Sequence, residues 1–300
     1  MIEEHLCELP SGVRLCYRTS GSTRGEPLLL IAGLGLHLTW WPQSLIDGLV
    51  ERGHHVIAFD NRDVGRSSRI ATRPPGVLRQ LLRVPHADNY DLGDMAEDTV
   101  GLLDHLGIDA THLVGMSMGG MIAQTIAARH PRRARSLVSI FSTTGARRVG
   151  QPSLSTLRHL AGPRARTRDQ AIASHVTIMR HIGPSGFALD LEALEAYAGA
   201  AWDRGDGLHA PAGIARQIGA ILKSGDRTRE LRRITTPTLV LHGDSDLMVH
   251  PSGGRATARA IPGAAHVTIE GMGHHLPAGV IPRVTELVAR HLADARQRAA

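Results

Sequence analysis

The sequence predicts a doubly wound α/β protein with a mostly parallel sheet, an antiparallel entry hairpin and an inserted helical lid. Three observations carry that prediction. Short apolar runs rich in Val, Ile and Leu alternate with helix-length amphipathic segments, the pattern of strands buried on both faces and joined by right-handed crossovers. The rhythm breaks between about 143 and 232, where helical stretches follow one another with no convincing strand between them. A pentapeptide, Gly115-Met116-Ser117-Met118-Gly119, lies between one apolar run and a helix-length stretch, which is the order of a sharp strand-to-helix turn with a serine at its apex.

Taken in order, the hairpin comes first, with Glu4 to Leu9 and Val13 to Arg18 joined by a tight turn. Cys7 and Cys16 flank Pro10-Ser11-Gly12-Val13, and a hairpin turning there sets them opposite each other, within reach of a disulfide. In a reducing cytosol free thiols are the expectation. Parallel strands are expected at Pro27 to Ala32, His55 to Phe59, Thr111 to Val114, Ser136 to Phe141, Thr238 to His242 and His266 to Ile269. Among the helices, Asp94 to Leu106 is well marked, because Met95, Thr99, Leu102, Leu103 and Leu106 fall on one stripe. Ala71 to Asn89, carrying Pro74-Pro75 and Pro85, reads as a long loop or a broken helix. Leu189 to Ala200 and Ala212 to Lys223 read as helices of the irregular region. Its ninety residues, 143 to 232, far exceed an ordinary crossover. The core is therefore expected from 1–142 and 233–300, with 143–232 as the lid.

A length of 300 residues at 42% hydrophobic fits one large domain with an insertion. No stretch approaches the roughly 20 apolar residues of a membrane span, and Met1-Ile2-Glu3-Glu4-His5 is acidic where a secretory signal is basic and then apolar. A cytoplasmic protein with no membrane partner is expected. The net charge of +6 comes from scattered arginines, with Lys223 the sole lysine. No basic run is interleaved with aromatics, and two cysteines cannot make a zinc finger, so nucleic acid is not an expected partner.

A serine hydroxyl is a poor nucleophile near neutral pH. Chemistry at Ser117 requires an imidazole to take its proton and a carboxylate to fix the imidazole's tautomer. Leu241-His242-Gly243-Asp244-Ser245-Asp246 ends a strand, on the rim where parallel sheets build their sites. Asp246 is the expected acid, with Asp244, well suited to bonding turn amides, as the alternative. Further on, Gly271-Met272-Gly273-His274-His275 follows the last strand. His274 is the expected general base and His275 its alternative. Backbone N–H donors for the oxyanion are expected at Met118, just after the nucleophile, and at Leu34 in the loop Ala32-Gly33-Leu34-Gly35. That loop lacks the third glycine of a dinucleotide turn, and no cofactor is expected. His242, Asp244, Asp246, His274 and His275 come near one another in this reading, but no HExxH or similar ligand run is present, and no metal is expected.

Together these motifs resemble the α/β-hydrolase family over nearly the whole chain, in the order Ser117, Asp246, His274. Phe59-Asp60-Asn61-Arg62-Asp63-Val64-Gly65-Arg66-Ser67 is similar to that family's loop after the fourth strand, which supports the site from the side. The family's usual histidine-glycine at the oxyanion loop is Ala32-Gly33 here. Within the family, Ser142-Thr143-Thr144-Gly145, Asp203-Arg204, Arg216-Gln217, Ser224-Gly225-Asp226-Arg227 and Gly271-Met272-Gly273-His274 are similar to a group labelled aclacinomycin methylesterase-like. The resemblance implies a serine hydrolase that cleaves a carboxylic ester, such as a methyl ester of a bulky or polyketide-like acid, through an acyl-enzyme on Ser117. The same triad also serves carbon–carbon bond hydrolysis, lactone hydrolysis and cofactor-free perhydrolysis, and these stay open, as does a non-catalytic ligand-binding protein. Met179, Ile182, Phe187, Tyr197 and Trp202 either line an acyl pocket or form the lid's own core. The expected partner is a small-molecule ester, and exposed lid surfaces leave a homodimer open.

Overall fold

The computed structural model describes residues 3–162, 165–183 and 186–299. Among them, eight strands form one sheet: β1 (His5–Glu8), β2 (Arg14–Ser20), β3 (Glu26–Ile31), β4 (His54–Phe59), β5 (Thr111–Met116), β6 (Ala134–Ile140), β7 (Thr238–Gly243) and β8 (Ala265–Ile269). Their spatial order is β1-β2-β4-β3-β5-β6-β7-β8. β1 and β2 run antiparallel, as do β2 and β4, and every other pair is parallel. The parallel strands β3 to β7 are buried at nearly every position because helices cover both faces.

Those helices are α1 (Gln43–Val50), α2 (Val77–Leu81), α3 (Leu92–His105), α4 (Met118–Arg129), α5 (Leu154–Leu160), α6 (Arg168–Ile182), α7 (Leu191–Ala201), α8 (Ala210–Ser224), α9 (Thr228–Leu231), α10 (Ser252–Ala260) and α11 (Ile281–Ala299). One face of the sheet packs on α3 and α4 through Met95, Leu102, Met121 and Ile122. The other packs on α1 and α11 through Leu45, Leu49, Val284 and Val288. α3 starts two residues earlier than its apolar stripe suggests, because Asp91 caps it and Asp94 returns the bond to the Asp91 amide.

The expected disulfide geometry in the hairpin is wrong. The turn closes with Leu9 N donating to Val13 O at 2.8 Å, and the resulting register pairs Cys7 with Leu15 and Leu6 with Cys16. A shift of one residue sends a strand's side chains to the other face. Cys7 therefore lies in the core on the α3 side and Cys16 in the core on the α1 side. Both are free.

Between β6 and β7 lie α5 to α9 with no strand among the described residues. α7 and α8 fall where the sequence places helices, and α6 adds another, with Ile172, Val176, Met179 and Ile182 spaced along one face. Met179, Ile182 and Leu194 form a small core of their own, packed against Trp40, Leu189 and Met248. The first two thus belong to the interior of this segment, while Phe187 packs against the core on the α1 side.

The glycines of the pentapeptide are required by close approach. A Cβ on Gly119 would collide with the carbonyl oxygen of Ile31, and one on Gly115 with that of Gly119. Neither contact can be relieved by moving a side chain. Gly119→Ala is expected to destabilise the protein by about 3 kcal/mol or more, the upper end of overpacking costs, measurable as a drop in the urea midpoint.

Candidate active site

Ser117 joins β5 to α4 with φ 54° and ψ −120°, a conformation costly for any residue with a Cβ. The strain is held by the surroundings: Ser117 N donates to Ile140 O at 2.9 Å, and Ser142 Oγ donates to Ser117 O at 2.8 Å. The half-buried hydroxyl stands at the N-terminus of α4, where the helix dipole favours negative charge.

His274 Nε2 lies 3.0 Å from Ser117 Oγ, and its Nδ1 lies 2.7 Å from Asp246 Oδ2. A carboxylate only accepts, so Nδ1 carries the proton and Nε2 is left to accept from the serine. Asp246 sits in the loop after β7, buried to 2% exposure. Its Oδ1 accepts from the amides of Met248 and Val249, both at 2.8 Å. Burial alone raises this carboxyl, but the His274 imidazole and the hydrogen bonds from His242 and His274 bring it down to about 2. Asp246 is thus a fixed anion across the whole physiological range.

The alternatives go elsewhere. Asp244 Oδ1 accepts from Gly271 N at 2.8 Å and braces the loop that carries His274. His275 turns its ring to Trp40, centroid to centroid 5.3 Å. Burial, with His175 and His274 near it, pulls His275 down to about 4. Among the described residues no group of three or more His, Cys, Asp or Glu side chains is arranged to hold a metal ion.

The two oxyanion candidates flank the serine. Met118 is the first residue of α4, where an N–H has no partner within the helix. Leu34 lies in the loop after β3, which packs on the elbow so closely that a Cβ on Gly33 would stand 3.3 Å from Ser117 Cβ. Among the described residues neither amide donates to another protein atom. The Ser117 hydroxyl thus has the His274 imidazole beside it and, in the neighbouring backbone, two amides that make no hydrogen bond to protein among the described residues. That arrangement suits acyl transfer.

The contacts of several supporting residues escape a reading based on motifs. His242, buried at the end of β7, donates from Nε2 to Val249 O at 2.8 Å and faces Asp246 Oδ2 at 3.3 Å. Phe141, the residue after β6, has φ 36° and lays its ring 4.5 Å from that of His274. The loop after β4 is a hub of buried charge. Asp60 pairs with Arg204 at 2.6 Å, and Asp63 takes a two-pronged bond from Arg216 at 2.6 and 2.9 Å together with the Tyr90 hydroxyl at 2.8 Å. Burial and the Asp63 charge push the Tyr90 phenol upward, so it stays a donor. The arginines come from the segment between β6 and β7, and nothing in their local sequence announces partners about 150 residues away.

With this geometry in hand, the comparisons with known proteins are informative. A family model described as alpha/beta hydrolase fold matches residues 26–277. Rhodomycin D methylesterase from Streptomyces peucetius is 31% identical over 293 residues, covering 90% of this chain and 92% of the relative. A second rhodomycin D methylesterase, from Streptomyces sp. strain C5, is 30% identical over 292 residues with the same coverage of 90% and 92%. Among solved structures, the enol-lactonase from Burkholderia xenovorans LB400 superposes with a TM-score of 0.72 at 22% identity, over 98% of this chain and 100% of that one. At that identity the likeness concerns the fold.

Proposed function

The chain belongs to the α/β-hydrolase fold family, and from that premise we propose that it is a carboxylic ester hydrolase whose acyl-enzyme forms on Ser117. The observation that carries this reading is the unbroken line from Ser117 Oγ through His274 to Asp246, at 3.0 and 2.7 Å. Ser117 Oγ bonds to the ester carbonyl carbon while its proton passes to His274 Nε2. The carbonyl electron pair moves onto oxygen, between the N–H groups of Leu34 and Met118. Collapse of this intermediate breaks the bond to the alkoxy group, which leaves with the proton from His274. Water, deprotonated by the same imidazole, then cleaves the acyl-enzyme. Throughout, Asp246 holds the ring and balances its positive charge.

The substrate proposed is a methyl ester of a bulky or polyketide-like acid, supported by the rhodomycin D methylesterases that match nearly end to end. Residues 143–232 are proposed as a lid over the site, supported by the run of helices α5 to α9. The cytoplasm is the proposed compartment. Among the described residues no helix is long and apolar enough to cross a membrane, and both cysteines are free.

The test compares turnover on a methyl ester of a polycyclic aromatic acid, a lactone, a vinylogous diketone and hydrogen peroxide. The expected result is release of one methanol per acid formed, at a kcat/KM at least about tenfold above the other three, a difference of about 1.4 kcal/mol in transition-state binding. Faster cleavage of the carbon–carbon bond or of the lactone would reassign the chemistry while keeping the triad.

A further inference from the structure

We propose that Gln217, on α8, is a positioning residue for the oxyanion hole. Its side chain is fully buried. Oε1 accepts from Gly35 N at 2.8 Å, and Nε2 donates to Arg62 O at 2.9 Å. The carboxamide thus bridges the loop after β3 to the loop after β4. This inference rests on the reading of the Leu34 amide as an oxyanion donor.

The geometry of the turn explains why one side chain matters so much. Leu36 N donates to Gly33 O at 3.2 Å, which makes Leu34 and Gly35 the two central residues of a β-turn. Gly35 has φ +66°. Leu34 C=O and Gly35 N–H are opposite edges of a single peptide plane, so the acceptor on Gly35 N–H also fixes where the Leu34 carbonyl points. A glycine at the second central position accommodates the turn with that plane in either orientation. Without Gln217, the plane next to the oxyanion amide has lost what holds it.

The rest of the loop is gripped from the same side. His37 N donates to the Tyr197 hydroxyl of α7 at 3.0 Å. Leu38 N donates to Asp60 Oδ1 at 2.8 Å, and Asp60 is the partner of Arg204. A Cβ on Gly35 would stand 2.9 Å from Ile214 Cγ1, one turn before Gln217 on α8. In this chain, where Ala32 stands before Gly33, the side chains that fasten the loop come largely from the segment between β6 and β7. Docking of that segment and assembly of the oxyanion hole are therefore one event.

The experiment compares wild type, Gln217→Met and Gln217→Glu on p-nitrophenyl butyrate, with affinities for butylboronic acid, a tetrahedral mimic, and for butyrate, the planar product. Gln217→Met keeps the volume and removes both hydrogen bonds. Its kcat is expected to fall about 30- to 100-fold, somewhat less than outright loss of an oxyanion donor, with KM within about twofold. Boronate affinity should fall by a similar factor and butyrate affinity should hold. Gln217→Glu, which keeps the acceptor for Gly35 N, should recover a large part of kcat. A Gln217→Met protein with wild-type kcat and boronate affinity overturns the proposal. So does one that loses boronate and butyrate affinity equally, since that pattern belongs to general damage. If the wild type itself neither hydrolyses the ester nor takes up boronate, the esterase reading fails, and this inference falls with it. An active wild type with an unimpaired Gln217→Met protein sinks this inference alone.

Discussion

Ser117→Ala is expected to lower kcat by about 10⁶-fold, the loss seen when a serine hydrolase is deprived of its nucleophile, with the thermal midpoint close to wild type. The substitution removes one oxygen. Alanine tolerates the φ of 54° no better and no worse than serine, so the strained elbow keeps its existing supports, the bonds of its backbone to Ile140 and Ser142. The residual rate then measures what the two oxyanion amides and substrate binding contribute without covalent chemistry. Single-turnover hydrolysis of an activated ester gives the number.

Asp246→Asn is expected to cost about 10⁴-fold in kcat, and the hydrogen bonds around the carboxylate give the reason. Its Oδ1 accepts from two backbone amides, Met248 and Val249, so the asparagine oxygen must take that place. The NH2 group is then forced to face His274, where it can only donate. Nδ1 becomes an acceptor, the ring proton moves to Nε2, and the imidazole presents N–H to the serine in place of a lone pair. His242, whose Nε2 also faces that oxygen at 3.3 Å, adds a second clash between donors. A pH profile separates this from simple misfolding. Because the native carboxyl is held down at about 2, the acid limb of wild-type kcat/KM does not report protonation of Asp246. The same shift sets a stability trend. A carboxyl lowered on folding contributes stability that is fully present above the ordinary carboxylate range of about 4 and is lost as pH falls toward about 2.

Much of this site is legible in the sequence because its signals are local. The elbow needs Gly115 and Gly119 beside Ser117, and the candidate acid and base follow the last two strands, so order narrows them to Asp244 or Asp246 and His274 or His275. The six parallel strands are equally plain, since burial on both faces leaves apolar runs with no alternation to confuse. What the sequence conceals depends on register and on distant partners. Cys7 and Cys16 flank a turn symmetrically, yet a register offset of one residue sends them to opposite faces of the sheet. Arg216-Gln217 stands out as a family-like pair, but the contacts of the two side chains arise only when α8 meets Gly35, Arg62 and Asp63. His242 was legible as part of the strand-end motif, but its contact with Asp246 was not.

The intact mass of the native chain and of Ser117→Ala after incubation with a small fluorophosphonate tests the central claim most directly, because the reagent phosphonylates only a serine activated by a neighbouring base. The account predicts one adduct on the native protein and none on Ser117→Ala. An unlabelled native protein, or an adduct that persists in Ser117→Ala, would contradict it.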